Sequence, residues 1–357
     1  MIQIDRTPQI RNRCSEARND VPSGGSMTSP ATALLSAVNA EVIGKELAVE
    51  LAVVCLLTEG HLLVEDNPGT GKTTLARALA SASGGSWNRI QFTPDLLPTD
   101  VTGVSIYNQG TTQFEFHEGP VFSNVVLADE INRASPKTQS ALLEVMEEQQ
   151  VTGDGVTRPV PRPFTVVATQ NPVEMEGTYR LPEAQLDRFL MRLRLGYLDA
   201  EHELRVITGS YRASSVDRPA PTAFGGHRPI GHAQAEAMHS AIVEMVAEAA
   251  RVTVSDALGR YVVELAAATR HHPRVRLGVS TRGALAMVRA CRSLAFVRGR
   301  DYVNASDVQE LAPHVWSHRL ILTPEAELGG VTDEQLVAEV LAGVTTPDVA
   351  PTQYTRP

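Results

Sequence analysis

The residues with the clearest chemical potential are Asp66-Asn-Pro-Gly-Thr-Gly-Lys-Thr73, set between the apolar run His61-Leu-Leu-Val-Glu65 and the helix-forming stretch Thr74-Leu-Ala-Arg-Ala-Leu-Ala80. A strand that ends in such a loop and continues as a helix aims successive backbone N–H groups, and the positive helix end, at phosphate oxygens. Gly69 and Gly71 let the backbone approach a ligand, the Lys72 ammonium reaches β- and γ-phosphates, and the Thr73 hydroxyl suits Mg²⁺. Asn67, Pro68, Thr70 and Thr74 complete the loop and the first helical turn. One position departs from the pattern G-x-x-x-x-G-K-[ST]: Asp66 stands where its first glycine belongs. The plain alternative is a glycine-rich turn that caps an ordinary helix.

Further along, Val125-Val-Leu-Ala-Asp129-Glu130 puts two carboxylates at the C-terminal end of an apolar run. Beside a bound triphosphate, Asp129 would orient the Mg²⁺ shell and Glu130 would polarise the attacking water as a general base. Without the phosphate loop, the pair reads as the approach to a helix starting at Ser135-Pro136, a cap followed by proline at the first helical position. Another apolar run, Thr165-Val-Val-Ala-Thr169, leads into Gln170-Asn171-Pro172. An amide there, Asn171, would sit between the carboxylates and the γ-phosphate and hold the water. On its own Asn171-Pro172 is a common turn.

Positioning these groups requires a sheet. From Ala31 to about Leu198, helical stretches alternate with short β-branched runs followed by polar turns, the pattern of a parallel sheet covered by helices. Two hairpin-like insertions interrupt it, one from Val104 to Phe116 with Asn108-Gln-Gly110 at its tip, the other from Val151 to Val160 across Gly153-Asp-Gly155. Pro, Gly and Arg crowd the stretch from Asp217 to Ile230, a linker. Beyond it Leu258, Tyr261, Val262 and Leu265 keep helical spacing, as do Leu285, Val288 and Ala295. The expected layout is a disordered tail over 1–30, an α/β core over 31–205, a linker over 206–230, a small all-helical domain over 231–325 and a C-terminal tail over 326–357.

Lys+Arg 32 against Asp+Glu 41 leaves a net charge of −9, which forgoes the long-range attraction that basic chains have for nucleic acid. Cys14, Cys55 and Cys291 are scattered, with neither a disulfide framework nor metal-site spacing, so a reducing cytoplasmic setting is expected. The apolar run from Leu51 to Leu57 is far shorter than the roughly 20 residues of a membrane span. The first 26 residues carry Arg6, Arg11, Arg13 and Arg18 and lack the apolar core of a secretion signal; Met27 is an alternative start. His314 and His318 have metal-binding spacing but no third ligand, and read as a solvated or core-edge pair.

In this order the stretches Gly60 to Thr73, Leu127-Ala-Asp-Glu-Ile-Asn-Arg-Ala-Ser-Pro136, Ala168-Thr-Gln-Asn-Pro172, Leu181-Pro-Glu-Ala-Gln-Leu-Asp-Arg-Phe189 and Gly278-Val-Ser-Thr-Arg282 resemble the AAA+ superfamily and, within it, the MoxR family. The resemblance covers about 40 to 320, and the two hairpins match inserts of that branch. It implies an AAA+ P-loop NTPase fold followed by a helical lid, with ATP and Mg²⁺ as cofactors. By the same resemblance Lys72 and Thr73 look like Walker A, Asp129 and Glu130 like Walker B, and Asn171 like sensor 1. Arg188 looks like an arginine finger offered to a neighbouring subunit, Arg282 like sensor 2, and Val42 and Ile43 like the apolar segment against which adenine packs. Arg133 is a weaker candidate for the contact between subunits. The bland readings pair Arg188 with Asp187 or Glu183 and make Arg282 a helix cap. Whether Arg282 serves its own subunit or the next stays open.

The resulting expectation is a cytoplasmic ATPase acting in a homo-oligomeric ring of six on a protein client, for which the resemblance suggests a von Willebrand factor A-type partner. A nucleic-acid motor is the rival, though the hairpin turns Tyr107-Asn-Gln-Gly110 and Gly153-Asp-Gly155 carry no Lys or Arg. A nucleotide-gated scaffold without turnover is the third reading, opposed by Glu130 and Arg188.

Overall fold

The computed structural model describes residues 29–67, 69–171, 179, 181–213 and 232–347. Residues 1–28 of the expected N-terminal tail, Pro68, Pro172 with 173–178, 180, the linker over 214–231 and the chain after 347 lie outside them.

Helix α1 (Pro30–Glu41) starts where the Ser29 hydroxyl accepts the Thr32 N–H and proline fills the first position. Helix α2 (Glu46–Leu57) is buried at every residue from Leu51 to Leu57, as a helix enclosed on all sides must be. Then come β1 (Leu62–Glu65), α3 (Lys72–Ala82), β2 (Trp87–Gln91), α4 (Pro98–Thr102), β3 (Gly103–Asn108), β4 (Gln113–Glu118) and β5 (Val125–Asp129). These are followed by α5 (Pro136–Glu148), β6 (Gln150–Gly153), β7 (Val156–Pro159), β8 (Thr165–Gln170), α6 (Glu183–Leu186), β9 (Met191–Leu193) and α7 (Ala200–Ala213).

Five strands form one parallel sheet in the order β2-β5-β8-β1-β9. Successive residues serve opposite faces, so two cores arise. Leu62, Val64, Val125, Leu127 and Val167 join one, with α1, α2 and α3; Leu63, Val126, Ala128, Val166 and Ala168 join the other, with α5. The runs expected as strands are β1, β5 and β8, with β1 starting at Leu62, one residue after the expected His61. The edge strands β2 and β9 went unrecognised: β2 buries only Ile90, and β9 is three residues long.

Both insertions are antiparallel hairpins, β3–β4 and β6–β7, close to the expected limits. They dock on one another through the Arg158 guanidinium, 3.9 Å above the Phe116 ring, and a Ser105–Asp154 hydrogen bond.

The second domain holds α8 (His232–Ala250), α9 (Asp256–His271), β10 (Val275–Leu277), α10 (Thr281–Val297), α11 (Ala305–Trp316), β11 (Ile321–Leu322), α12 (Pro324–Leu328) and α13 (Asp333–Gly343). It differs from expectation at three places. Helix α7 runs to Ala213, inside the stretch expected as linker. Strands β10 and β11 pair in a domain read as purely helical. The stretch from 326, expected as tail, folds through Gly343, because Leu336, Val337 and Val340 of α13 are buried in the same core as α9 and α11, with Thr332 and Gln335 forming a capping box. Helix α10 packs on α2 of the first domain, where Arg289 donates to the Thr58 carbonyl at 2.6 Å and Thr58 Oγ1 donates to Ser293 Oγ at 2.8 Å.

Candidate functional site

Strand register brings the predicted groups to one edge. Gln91 pairs with Asp129 and Glu65 with Gln170, so the C-terminal ends of β2, β5, β8 and β1 lie level, and the loops leaving them open on one cleft of about 450 Å³. Gly69, Gly71, Lys72, Thr73, Thr74, Asp129, Glu130 and Asn171 line it together with Arg89, Gln91 and Thr169.

The phosphate loop explains its own sequence. Gly69 and Gly71 have φ of +84° and +96°, a region costly to residues with a side chain, and a Cβ on either would face open space. The loop so formed opens at the N-terminus of α3, where backbone N–H groups and the helix dipole favour an anion. Asp66 has no such backbone demand, and its carboxylate serves instead as an anchor: Oδ2 accepts the Gly196 N–H at 2.6 Å and Oδ1 the Asn67 N–H at 2.8 Å. Lys72 Nζ donates to the Asp66 and Asn67 carbonyls at 2.7 and 2.9 Å, within its own loop. An incoming phosphate would exchange two neutral acceptors for charged ones. Thr73 is exposed, and Asn67 and Thr70 stand in the same loop, bonded through the Asn67 carbonyl.

Asp129 is buried at the end of β5, with Oδ1 accepting from Thr169 Oγ1 at 2.6 Å and Oδ2 from Arg89 Nη2 at 2.6 Å. Thr169 Oγ1 in turn accepts the Glu130 N–H at 2.9 Å, so one hydroxyl orients both acidic residues. Glu130 adopts a left-handed backbone, φ +55°, an arrangement that costs of order 1–3 kcal/mol and is characteristic of functional sites. Its Oε2 accepts from Gln91 Nε2 and from Arg133 Nη1, both at 2.9 Å. Arg133, the weaker candidate for a contact between subunits, therefore stands against Glu130 of its own chain. Asn171 is buried and lines the cleft beside them. Thr73 and Asp129 both line the cleft and offer oxygen donors of the kind that Mg²⁺ takes.

Arg89, Gln91 and Thr169 are the site residues that sequence reasoning missed. Thr169 ends a run already read as a strand. Arg89 and Gln91 sit on the edge strand β2, where no apolar alternation marks the register.

Other predicted residues lie elsewhere. Val42 is buried at the end of α1 and Ile43 is half-buried beside it; both precede Gly44, whose Cα faces the His202 ring. Arg188 and Arg282 do not line the cleft but meet at Glu147, which accepts from Arg188 Nε and Arg282 Nη1, each at 2.9 Å. Asp187, one bland partner for Arg188, is bonded by Arg319 instead, while Glu183 approaches Arg276 at 3.9 Å. Arg282 does not cap α10; Ser280 does, accepting the Gly283 N–H. His318 is buried, its Nε2 3.1 Å from the Phe189 carbonyl and 2.9 Å from Arg319 Nη1, and burial first, then the Arg319 charge, push its pKa well below the ordinary value. No group of three or more His, Cys, Asp or Glu among the described residues could hold a metal.

A parallel five-stranded sheet with a glycine loop, a paired carboxylate and a polar amide at one edge, followed by a helical second domain, defines an AAA-type nucleotide-binding ATPase. The family model for the ATPase family associated with various cellular activities matches residues 61–191, and the AAA lid domain model matches 267–340. YeaC of Bacillus subtilis is 47% identical over 310 residues, spanning 87% of this chain and 92% of its own length. Chaperone MoxR1 of Mycobacterium tuberculosis is 44% identical over 319 residues, 86% of this chain and 80% of its own. A crystal structure of a protein assigned as an ATPase from Cytophaga hutchinsonii superposes with a TM-score of 0.77 at 38% identity, covering 89% of this chain and 95% of that one. The chain belongs to the MoxR family of AAA+ ATPases.

Proposed function

We propose that this ATPase binds ATP with Mg²⁺ in the cleft at the sheet edge, hydrolyses it at the interfaces of a homo-oligomeric ring, and remodels or matures a protein client in the manner of a chaperone. In this reading Lys72 and the loop N–H groups grip the β- and γ-phosphates, Thr73 and Asp129 hold the cation, Glu130 takes the proton of the attacking water, and Asn171 orients that water. Val42 and Ile43 would face adenine.

One observation carries the ring. The cleft gathers the grip, the general base and the amide from a single chain, while Arg188 and Arg282 stand paired outside it. Of the cations that line the cleft, Lys72 is the grip and Arg89 is paired with Asp129, so a further cation on the transferring phosphoryl group would come from the next subunit. A protein client is supported by the β3–β4 hairpin, where Ile106, Tyr107 and Phe114 are exposed and Phe114 stands 73% accessible, an apolar rather than basic tip. The relative named a chaperone supports the same reading. A von Willebrand factor A-type protein is the client proposed, a ring of six the assembly and the cytoplasm the setting; no helix among the described residues is long and apolar enough to cross a membrane.

Specific ATPase activity measured over a rising protein concentration tests the proposal. Activity per chain should climb as subunits associate and should not respond to single- or double-stranded DNA at physiological salt. Activity per chain that is constant down to fully monomeric protein would remove the interface from the mechanism, and strong stimulation by DNA would favour the motor reading.

A further inference from the structure

Outside the cleft, one acidic side chain draws together two arginines from different domains. Glu147 lies near the end of α5; its Oε2 accepts from Nε of Arg188, in the core segment between α6 and β9, and its Oε1 from Nη1 of Arg282, in the first turn of α10. Two guanidinium groups held this close repel one another, and the carboxylate between them offsets that repulsion. Each arginine gives Glu147 one nitrogen. Nη1 and Nη2 of Arg188, and Nε and Nη2 of Arg282, take no part in these bonds, and the two side chains are 27% and 49% exposed.

The same two segments are fixed again one or two residues away. Asp187 accepts from Arg319 Nε at 2.7 Å and from Ser280 Oγ at 3.4 Å, and Ser280 is the N-cap of α10. The pair of half-buried Asp187 and buried Arg319 thus ties together the backbones that carry both arginines, and Glu147 ties their side chains. Hydrogen bonding from Arg282, first among the causes, holds the Glu147 carboxyl below the usual range, so the bridging group is an anion at neutral pH.

We propose that Glu147 is a positioning residue for hydrolysis: it holds Arg188 and Arg282 side by side, so that core and lid present one paired cation to the triphosphate of a neighbouring subunit. This rests on the reading of Arg188 as a residue that completes the neighbour's site. Glu147 is not among the residues that line its own cleft.

The test is steady-state ATPase kinetics on the full chain carrying Glu147→Ala or Glu147→Gln, with binding of a fluorescent ATP analogue measured in parallel. Misplacing a transition-state group by about 1 Å costs up to roughly 100-fold, so kcat should fall about 10- to 100-fold while KM and analogue affinity stay within about twofold. Because Glu147 acts through the arginines, adding Glu147→Ala to Arg188→Ala/Arg282→Ala should change the residual rate by less than about twofold. A kcat within about twofold of wild type in Glu147→Ala, or a loss that multiplies with that of the arginine variants, would overturn the inference. An Arg188→Ala variant at the wild-type rate would overturn the reading beneath it; Arg188→Ala slow and Glu147→Ala fast would overturn this inference alone.

Discussion

Arg319 offers a perturbation whose size follows from its surroundings. Its guanidinium is 3% exposed and donates to the Asp187 carboxylate at 2.7 Å and to the carbonyls of Phe189 at 2.7 Å, Leu190 at 3.1 Å and Val315. Arg319→Met keeps most of the apolar stem and deletes the charge. Asp187 would then keep only the Ser280 hydroxyl at 3.4 Å, and the buried carbonyls of Phe189, Leu190 and Val315 would lose the donor they share. Removing one partner of a buried ion pair costs about 3–5 kcal/mol, and since Asp187 is 25% exposed the lower end, about 3 kcal/mol, applies. At roughly 2–4 °C per kcal/mol, thermal unfolding should begin some 6–12 °C lower. Asp187→Asn, which strands the guanidinium, should fall comparably, and Arg319→Lys should not rescue, because one ammonium cannot span the fork. Because residues 187–190 include Arg188, ATP hydrolysis should drop with nucleotide binding intact. Melting of Arg319→Met within about 2 °C of wild type would refute the reasoning.

Glu130→Gln should retain ATP while slowing hydrolysis about 10²- to 10⁴-fold, the contribution of a general base, as read by single-turnover phosphate release. Gly71→Ala should cost only about 1–2 kcal/mol, the strain of a side chain at φ +96° with open space around it, yet abolish nucleotide binding in equilibrium titration. His61, buried with Nε2 3.0 Å from the Met146 carbonyl and Nδ1 accepting the Val166 N–H, has its pKa lowered by burial from 6.5 to about 4. The unfolded chain therefore binds the additional proton as pH falls from 6.5 toward 4, and stability present above 6.5 is lost across that window, about 3 kcal/mol in all. Urea titrations at several pH values should show that slope flattened in His61→Gln, which keeps a donor and an acceptor.

The parts legible in the sequence were those with local causes. A glycine loop between strand and helix, carboxylates ending an apolar run, and hairpins with Asn-Gln-Gly or Gly-Asp-Gly tips are fixed by neighbours in the chain, and β1, β5, β8 and both hairpins lie where they were read. Strand β2 was not legible because an edge strand buries one residue in five, and with it went Arg89 and Gln91. Helix α13 was hidden by distance: Leu336, Val337 and Val340 show their purpose only once α9 and α11 are beside them. The partners of Arg188 are likewise long-range, Glu147 being 41 residues away, so nearby Asp187 and Glu183 were the natural but mistaken candidates.

Mixing two inactive variants tests most directly whether a neighbour completes the site. Lys72→Ala chains cannot grip the phosphates, and Arg188→Ala chains cannot assist the next subunit, so each alone should be inactive. In an equal mixture, about a quarter of interfaces pair an intact phosphate loop with an intact Arg188, and ATPase activity should return to roughly that fraction of wild type. A mixture no more active than its parts, or Arg188→Ala chains that hydrolyse ATP at the wild-type rate by themselves, would contradict it.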